Sequence, residues 1–341
     1  MGEKLNIAVL GAGSWGTTLG VLLDENGHDV TLWEVFPEHV EAILRDRENR
    51  KFLPGIEVSP SIGVTSSLDE AIDGADLVLC VVPTHTMRGV ALDVAASGRF
   101  DPAAIVVNAS KGIEEKTLKR MSEVLADELP SDPEKICSLM GPSHAEEVSR
   151  HTPTSVVVAG IDAATIETVQ RTFFRPYFRV YTNPDIVGVE IGVALKNCIA
   201  IAAGVCDGLN YGDNTKAALI TRGLAEIARL GEAMGARRDT FAGLAGVGDL
   251  VVTCLSRHSR NRHVGEKIGQ GQTLDQVLSE MIMVAEGVRT TRAAVELGRQ
   301  AGVELPIIES VYQLLFEDRD PREAIGELMT RPLRGENADG D

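Results

Sequence analysis

Residues 5–10 form a short apolar run that ends at a glycine, and Gly11-Ala12-Gly13-Ser14-Trp15-Gly16 follows at once. A strand that feeds G-x-G-x-x-G and then a helix admits few folds. The first glycine allows the tight turn, the second lets backbone approach a pyrophosphate, and the third lets helix and strand pack closely. The helix that opens there presents free N–H groups and the positive end of its dipole to an anion. Helical spacing runs over 14–26 and stops at Gly27, and 29–33 reads as the next strand. That order is the βαβ signature of dinucleotide binding and makes Gly11, Gly13 and Gly16 candidate cofactor residues.

The alternation continues for about half the chain. Apolar runs at 77–82, 104–107, 136–140, 155–159 and 178–181 read as strands. Helical periodicity fills 38–47, 87–96, 116–128 and 163–173 between them. Strands alternating with helices predict a mainly parallel sheet covered on both faces. After Pro184 the pattern changes. Helices are expected at 187–205, 215–234, 262–268, 274–279, 288–301, 306–316 and 321–329, with no further strand. The fold class is therefore an α/β N-terminal Rossmann-like domain followed by an all-α C-terminal domain, with the boundary at 1–184 and 185–341. The polar tail 334–341 reads as frayed.

Composition removes several function classes. The formal net charge of -17 opposes binding to nucleic acid or an acidic membrane surface. Five scattered cysteines with no C-x-x-C argue against a disulfide framework and fit a reducing, cytoplasmic setting. The seven histidines show no metal-ligand spacing, so no metal is expected. No secretory leader is expected, because 1–4 leads straight into the apolar run at 5–10 and then a glycine turn. Residues 186–206 imitate a membrane span but carry Glu190, Lys196 and Asn197, which fit a buried helix and no integral membrane contact.

Chemistry-bearing residues cluster where an open α/β sheet holds its ligands, beyond the carboxyl ends of the strands. Glu34 ends the second strand, eighteen residues after Gly16, where an acid would take the ribose 2′-hydroxyl. No Lys or Arg stands beside it, so NAD(H) is favoured, with NADP(H) possible. Asn108-Ala-Ser-Lys111 and Gly141-Pro-Ser143-His144-Ala145 follow two other strands. Lys196 sits mid-helix among apolar neighbours, where an ammonium must pair, lose its proton or line a cavity. It is a candidate general acid/base, with an ion pair to Glu190 as the alternative, although six residues do not share a helix face. Gly246-Val-Gly248-Asp249 reads as a glycine-rich turn ending in a carboxylate. Ser256-Arg-His-Ser259-Arg260-Asn261-Arg262 is dense in cations and hydroxyls and reads as a phosphate cradle at a helix start, with a basic helix start on the surface as the alternative.

These segments in this order resemble the soluble NAD(P)-dependent sn-glycerol-3-phosphate dehydrogenases of bacterial type. The resemblance covers nearly the whole chain. GAGSWGTTLG at 11–20, SKGIE at 110–114, GPSHAEE at 141–147, GVALKNCIAIAAG at 192–204, GVGDLVVTC at 246–254, SRNR at 259–262 and VAEGV at 284–288 carry it. It implies reversible reduction of dihydroxyacetone phosphate to sn-glycerol 3-phosphate, a precursor of glycerophospholipids, by a homodimer. By the same resemblance Lys196 is the catalytic lysine and Asp249 belongs to its network. Lys111 contacts both substrate and cofactor and is a second catalytic lysine that, with Lys196, would stabilise the developing alkoxide. Gly141, Ser143, Ser259, Arg260 and Asn261 contact the substrate. Ser14, Trp15, Ala145, Arg260, Val284 and Glu286 contact the cofactor. Many bacterial members carry a basic residue or His soon after the tryptophan of the second strand. Here Glu34-Val35-Phe36 stands there, which weighs against exclusive NADP(H) use. A hydroxyacid dehydrogenase and a dinucleotide-sensing binding protein are the rival readings.

Overall fold

The computed structural model describes residues 4–281, 283–333 and 335–336, so most of the 334–341 tail lies outside the described residues. The chain forms two compact units, residues 1–111 with 119–190 and residues 112–118 with 191–341. The division falls inside a helix after Glu190, and the short segment 112–118 groups with the second unit.

The first unit alternates strands and helices. Its elements are β1 (Asn6–Leu10), α1 (Ser14–Glu25), β2 (Asp29–Trp33), α2 (Pro37–Asp46), β3 (Gly63–Thr65), α3 (Leu68–Ile72), β4 (Leu77–Cys80), α4 (Met87–Ala96) and β5 (Ile105–Asn108). There follow α5 (Met121–Glu128), β6 (Ile136–Met140), α6 (Ala145–Val148), β7 (Thr154–Gly160), α7 (Ala163–Phe173) and β8 (Phe178–Asn183). The eight strands lie in the order β3-β2-β1-β4-β5-β6-β7-β8, all parallel except the antiparallel β6–β7 pair. The chain winds outward from β1 through β2 to β3, then returns to start β4 on the other side of β1. The topological switch therefore lies at the C-terminal ends of β1 and β4, next to Gly11.

Period-two patterning gives this sheet two buried faces. Ile7, Val9, Leu32, Leu77 and Leu79 pack with Leu19, Leu22 and Leu23 of α1. Their neighbours Ala8, Leu10, Val78 and Cys80 pack with Ile72, Ala91 and Val94 on the other face. Alternate side chains of one strand must point to opposite faces, so strands covered on both sides read as continuous apolar runs.

Several local expectations change. Helix α5 starts at Met121 rather than 116, because Leu118 adopts φ +61° and a helix cannot run through a left-handed residue. Strand β3 was missed: three residues at a sheet edge are too few to show a period.

Helix α8 (Ile186–Gly208) begins in the first unit and continues into the second. It is long and apolar enough to cross a membrane, but 89% of its most apolar stretch is buried within the fold. The second unit continues with α9 (Asp213–Ala233), α10 (Asp249–Leu255), α11 (Arg260–Gly269), α12 (Leu274–Ser279), α13 (Glu286–Ala301), α14 (Pro306–Phe316) and α15 (Pro321–Met329). Small residues let α8 and α11 cross backbone to backbone. A Cβ on Gly204 would lie 1.9 Å from the Arg262 carbonyl oxygen, and one on Gly265 would lie 1.8 Å from that of Ile201. The glycine-rich segment before Asp249 is helical rather than an open turn. A wide turn over Leu244–Gly248 leads straight into α10.

Candidate active site

The glycine loop is shaped by contact with its own sheet. Gly11 has φ +110°, and a Cβ there would meet the Val81 carbonyl oxygen at 2.9 Å. A Cβ on Gly16 would fall 1.9 Å from the Gly11 carbonyl oxygen, so only glycine lets α1 start this close to β1. Gly13 differs. Nothing lies within 4 Å of its Cβ position, leaving open space over the N-terminus of α1. Trp15 follows with its indole Nε1–H buried and without a protein partner. Open space over Gly13, a bare helix start and an unpaired donor together fit a dinucleotide pyrophosphate.

Glu34 stands at the end of β2 and is 7% exposed. It does not point to solvent. Oε1 accepts the Phe36 N–H at 3.3 Å, and Oε2 lies 3.2 Å from His39 Nδ1. The expectation that no Lys or Arg stands beside it holds along the sequence, but the fold brings His39 there from the first turn of α2.

Lys111, Gly141 and Ser143 are brought together. The Lys111 ammonium donates to the Gly141 carbonyl at 2.8 Å, and the Ser143 hydroxyl donates to the same oxygen at 3.1 Å. Gly141 has φ +132°, which favours glycine. Ala145 begins α6, and the Thr18 hydroxyl of α1 lies 3.5 Å from its carbonyl oxygen. The loop that carries Lys111 is fixed from below. Asn108 Oδ1 accepts the Ser110 N–H at 2.9 Å, and the Ser110 hydroxyl donates to the Val82 carbonyl at 2.5 Å. Asn108 Nδ2 donates to Glu190 at 3.0 Å. The buried Glu190 carboxylate also accepts from Arg120 at 2.7 Å, from Ser138 at 2.8 Å and from Ser122 through both N–H and hydroxyl. Such saturation is what a buried carboxylate requires. It also answers the alternative of a Glu190–Lys196 pair, since Glu190 is paired with Arg120.

In the second unit Lys196 is 4% exposed and Asp249 is 1% exposed. The Lys196 ammonium donates to Asp249 Oδ1 at 2.6 Å and to the Thr253 hydroxyl oxygen at 2.6 Å. Thr253 in turn donates to the Asp249 backbone carbonyl, also at 2.6 Å. The sequence pattern alone does not single out Thr253. It lies four residues after Asp249, on the same face of α10, and would have been found had 249–255 been read as a helix.

Ser259 caps α11 by accepting the Arg262 N–H at 3.2 Å. Arg260 donates to the Val284 carbonyl at 2.8 Å, which brings two of the expected cofactor residues together. Asn261 Oδ1 accepts the Gly287 N–H at 2.9 Å, next to Glu286 at the start of α13. Asn261 Nδ2 donates to Asn197 Oδ1 at 3.0 Å, so the residue after Lys196 is tied to the start of α11. Arg262 faces inward and pairs with Asp207 and Glu266 rather than contributing to a cradle. All five cysteines are buried without bridges, and desolvation pushes the thiols of Cys80, Cys137, Cys198 and Cys254 up to about 12. They are core residues rather than nucleophiles. Among the described residues no cluster of His, Cys, Asp or Glu is placed to hold a metal ion.

Comparison with known proteins bears on both units. Residues 6–166 match the family described as NAD-dependent glycerol-3-phosphate dehydrogenase N-terminus, and residues 185–326 match the corresponding C-terminus. A protein of Geobacter sulfurreducens named glycerol-3-phosphate dehydrogenase [NAD(P)+] is 56% identical over 331 residues, covering 97% of this chain and 98% of that protein. One of the same name from Pelodictyon phaeoclathratiforme is 52% identical over 97% of this chain and 99% of its own length. The crystal structure of glycerol-3-phosphate dehydrogenase from Coxiella burnetii superposes with a TM-score of 0.92 at 35% identity, covering 96% of this chain and 99% of that one. A glycine loop suited to a dinucleotide, a buried lysine paired with a carboxylate and relatives alike from end to end lead to one conclusion: the chain belongs to the NAD-dependent glycerol-3-phosphate dehydrogenase family.

Proposed function

We propose that this protein catalyses the reversible, NAD(P)(H)-dependent reduction of dihydroxyacetone phosphate to sn-glycerol 3-phosphate. The observation that carries the reading is the Lys196 ammonium, held at 2.6 Å from both Asp249 and Thr253 in a buried setting. A positioned ammonium stabilises negative charge as it develops on a reacting oxygen and gives that oxygen a proton. In the reverse direction it takes the hydroxyl proton back. Asp249 holds the ammonium in place, and Thr253 fixes the angle from which it approaches. The nicotinamide, when bound, supplies or takes the hydride.

The other residues orient the reactants. Gly11, Gly13, Ser14 and Gly16 receive the pyrophosphate, and Trp15 offers its indole N–H. Glu34 takes the ribose hydroxyl, with NAD(H) favoured over NADP(H). Ala145, Val284, Glu286 and Arg260 line the cofactor. Lys111, Gly141, Ser143, Ser259, Arg260 and Asn261 bind the phosphorylated substrate, whose anion suits cations and a capped helix start. Binding of the phosphate, remote from the reacting carbon, aligns the carbonyl for hydride transfer. The division of labour is a dinucleotide domain over 1–184 and a substrate domain over 185–341. The enzyme acts as a cytoplasmic homodimer, and its product serves as a glycerophospholipid backbone.

The test is oxidation of NADH and of NADPH, followed at the nicotinamide absorbance band, with dihydroxyacetone phosphate as sole acceptor. Turnover with NADH exceeding that with NADPH is expected. Equal rates with the two dinucleotides would keep the reaction and remove the role of Glu34. Lack of turnover with both would overturn the substrate assignment.

A further inference from the structure

The surroundings of Glu34 fix a proton. Asn49 is fully buried, and its Nδ2 donates to the Ala12 carbonyl and to the Thr17 hydroxyl oxygen, both at 2.8 Å. A carbonyl can only accept, so the Asn49 amide has one orientation and its Oδ1 points the other way. That oxygen accepts the Phe52 N–H at 3.2 Å and faces His39 Nε2 at 3.0 Å. His39 Nε2 must therefore carry a hydrogen. In a neutral imidazole the other nitrogen, Nδ1, would then be a bare lone pair. Yet Nδ1 lies 3.2 Å from Glu34 Oε2, at ion-pair distance although off the line of an ideal hydrogen bond. A lone pair against a carboxylate oxygen, both 7% exposed, is repulsive. A second proton at this contact makes it attractive, as an imidazolium beside a carboxylate.

We infer that His39 is a specificity-determining residue for the dinucleotide, because its second proton cancels the charge of Glu34 where the ribose 2′ substituent is expected. This rests on the proposed reading of Glu34 as the ribose acid. The anchor of the relay lies in the glycine loop itself, since Asn49 is bonded to Ala12, between Gly11 and Gly13. The relay thus ties the ribose acid to the pyrophosphate turn. Besides Glu34, the ring is met by Phe52 edge-on at 5.2 Å between centroids. Lys51 also lies on this side, its ammonium 4.8 Å from the Phe52 centroid and 5.9 Å from that of Phe36. A partly neutralised Glu34 accounts for a site that favours NAD(H) while still admitting NADP(H). An uncompensated carboxylate would exclude a 2′-phosphate far more strongly.

The experiment is titration calorimetry of NADH and NADPH, without substrate, on wild type, His39→Gln and Glu34→Gln. In His39→Gln the carboxylate loses its counter-charge. The NADPH Kd then rises about tenfold, as expected for one unit charge near a phosphate in a partly solvated site, while the NADH Kd changes little. In Glu34→Gln the ribose acceptor is lost together with the second proton of His39, so the local charge stays the same: NADH binds more weakly while NADPH changes little. A parallel loss for both dinucleotides in His39→Gln would overturn the inference while leaving Glu34 its role. An unchanged NADH-to-NADPH ratio in Glu34→Gln would overturn the reading of Glu34 and the inference with it. A second readout does not require the His39 variant to fold. Nitrogen NMR of the ¹⁵N-histidine-labelled wild type near neutral pH should show one ring with both nitrogens protonated, and that ring should lose its Nδ1 proton in Glu34→Gln. Absence of such a ring in the wild type would also overturn the inference.

Discussion

Replacing Lys196 by Met separates what the lysine does for the fold from what it does for the reaction. Asp249 is 1% exposed, and in the variant its carboxylate loses the ammonium at 2.6 Å. Its side chain keeps the Thr253 hydroxyl, at 3.4 Å from Oδ1. Removing one partner of a buried pair leaves an uncompensated charge and costs about 3–5 kcal/mol. That is a large part of the ~5–15 kcal/mol by which a typical domain is stable. Replacing both partners, as in Lys196→Met with Asp249→Leu, removes both desolvation costs, and most of the lost stability should return. Turnover should behave differently. Loss of a positioned proton donor lowers kcat by about 10²–10⁴, and the double variant, which also lacks the donor, should be no faster. Urea unfolding of the two variants gives the stability terms. Dihydroxyacetone phosphate reduction gives the rates, and calorimetry with NADH checks that the first unit still binds. Turnover of the single variant within about tenfold of wild type, or recovery of rate in the double variant, would refute the reasoning. Either result would mean that the pair is structural and that another group moves the proton.

Two further outcomes follow from the geometry. Gly13→Ala should fold with nearly wild-type stability, because its Cβ meets no protein atom, yet bind NADH weakly, because the methyl occupies space for the pyrophosphate. Gly16→Ala places a Cβ 1.9 Å from a backbone oxygen and should lose about 3 kcal/mol or more of stability, so thermal melts and calorimetry on the two variants should rank them in opposite orders. Glu226 is buried against the start of α14, where it accepts the N–H groups of Ile307 at 2.8 Å and Ile308 at 3.3 Å. Desolvation pushes its carboxyl up from 4.5 to about 7 despite those two donors. A group whose pKa is raised on folding favours the folded state below the unfolded value. Its contribution should therefore fall by about 3 kcal/mol as pH rises from 4.5 to about 7 and then stay level. Glu226→Gln should flatten that slope in urea unfolding measured at pH 5 and pH 8, and an unchanged slope would assign it to other groups.

Much of this protein is decided locally, and those parts were legible in the chain. Strands buried on both faces must be apolar throughout, so the runs that became β1, β4 and β6 stood out, and the glycines that a tight turn needs announced the dinucleotide loop. The isolation of Lys196 in an apolar helix showed that it required a partner, because an unpaired ammonium cannot stay buried at low cost. Which partner it found was decided by tertiary structure. Asp249 is fifty-three residues away, on a helix whose start looks like a loop because Gly246 is required by a backbone 2.0 Å from its Cβ position, not by a turn. The same holds for Glu34. Its place at the end of β2 follows from the sequence, but the histidine five residues on and the asparagine that faces it are joined by the return of the chain after α2. Short-range order is encoded by propensity and period. The charge state of a buried group depends on what the fold sets against it, and no local pattern carries that information.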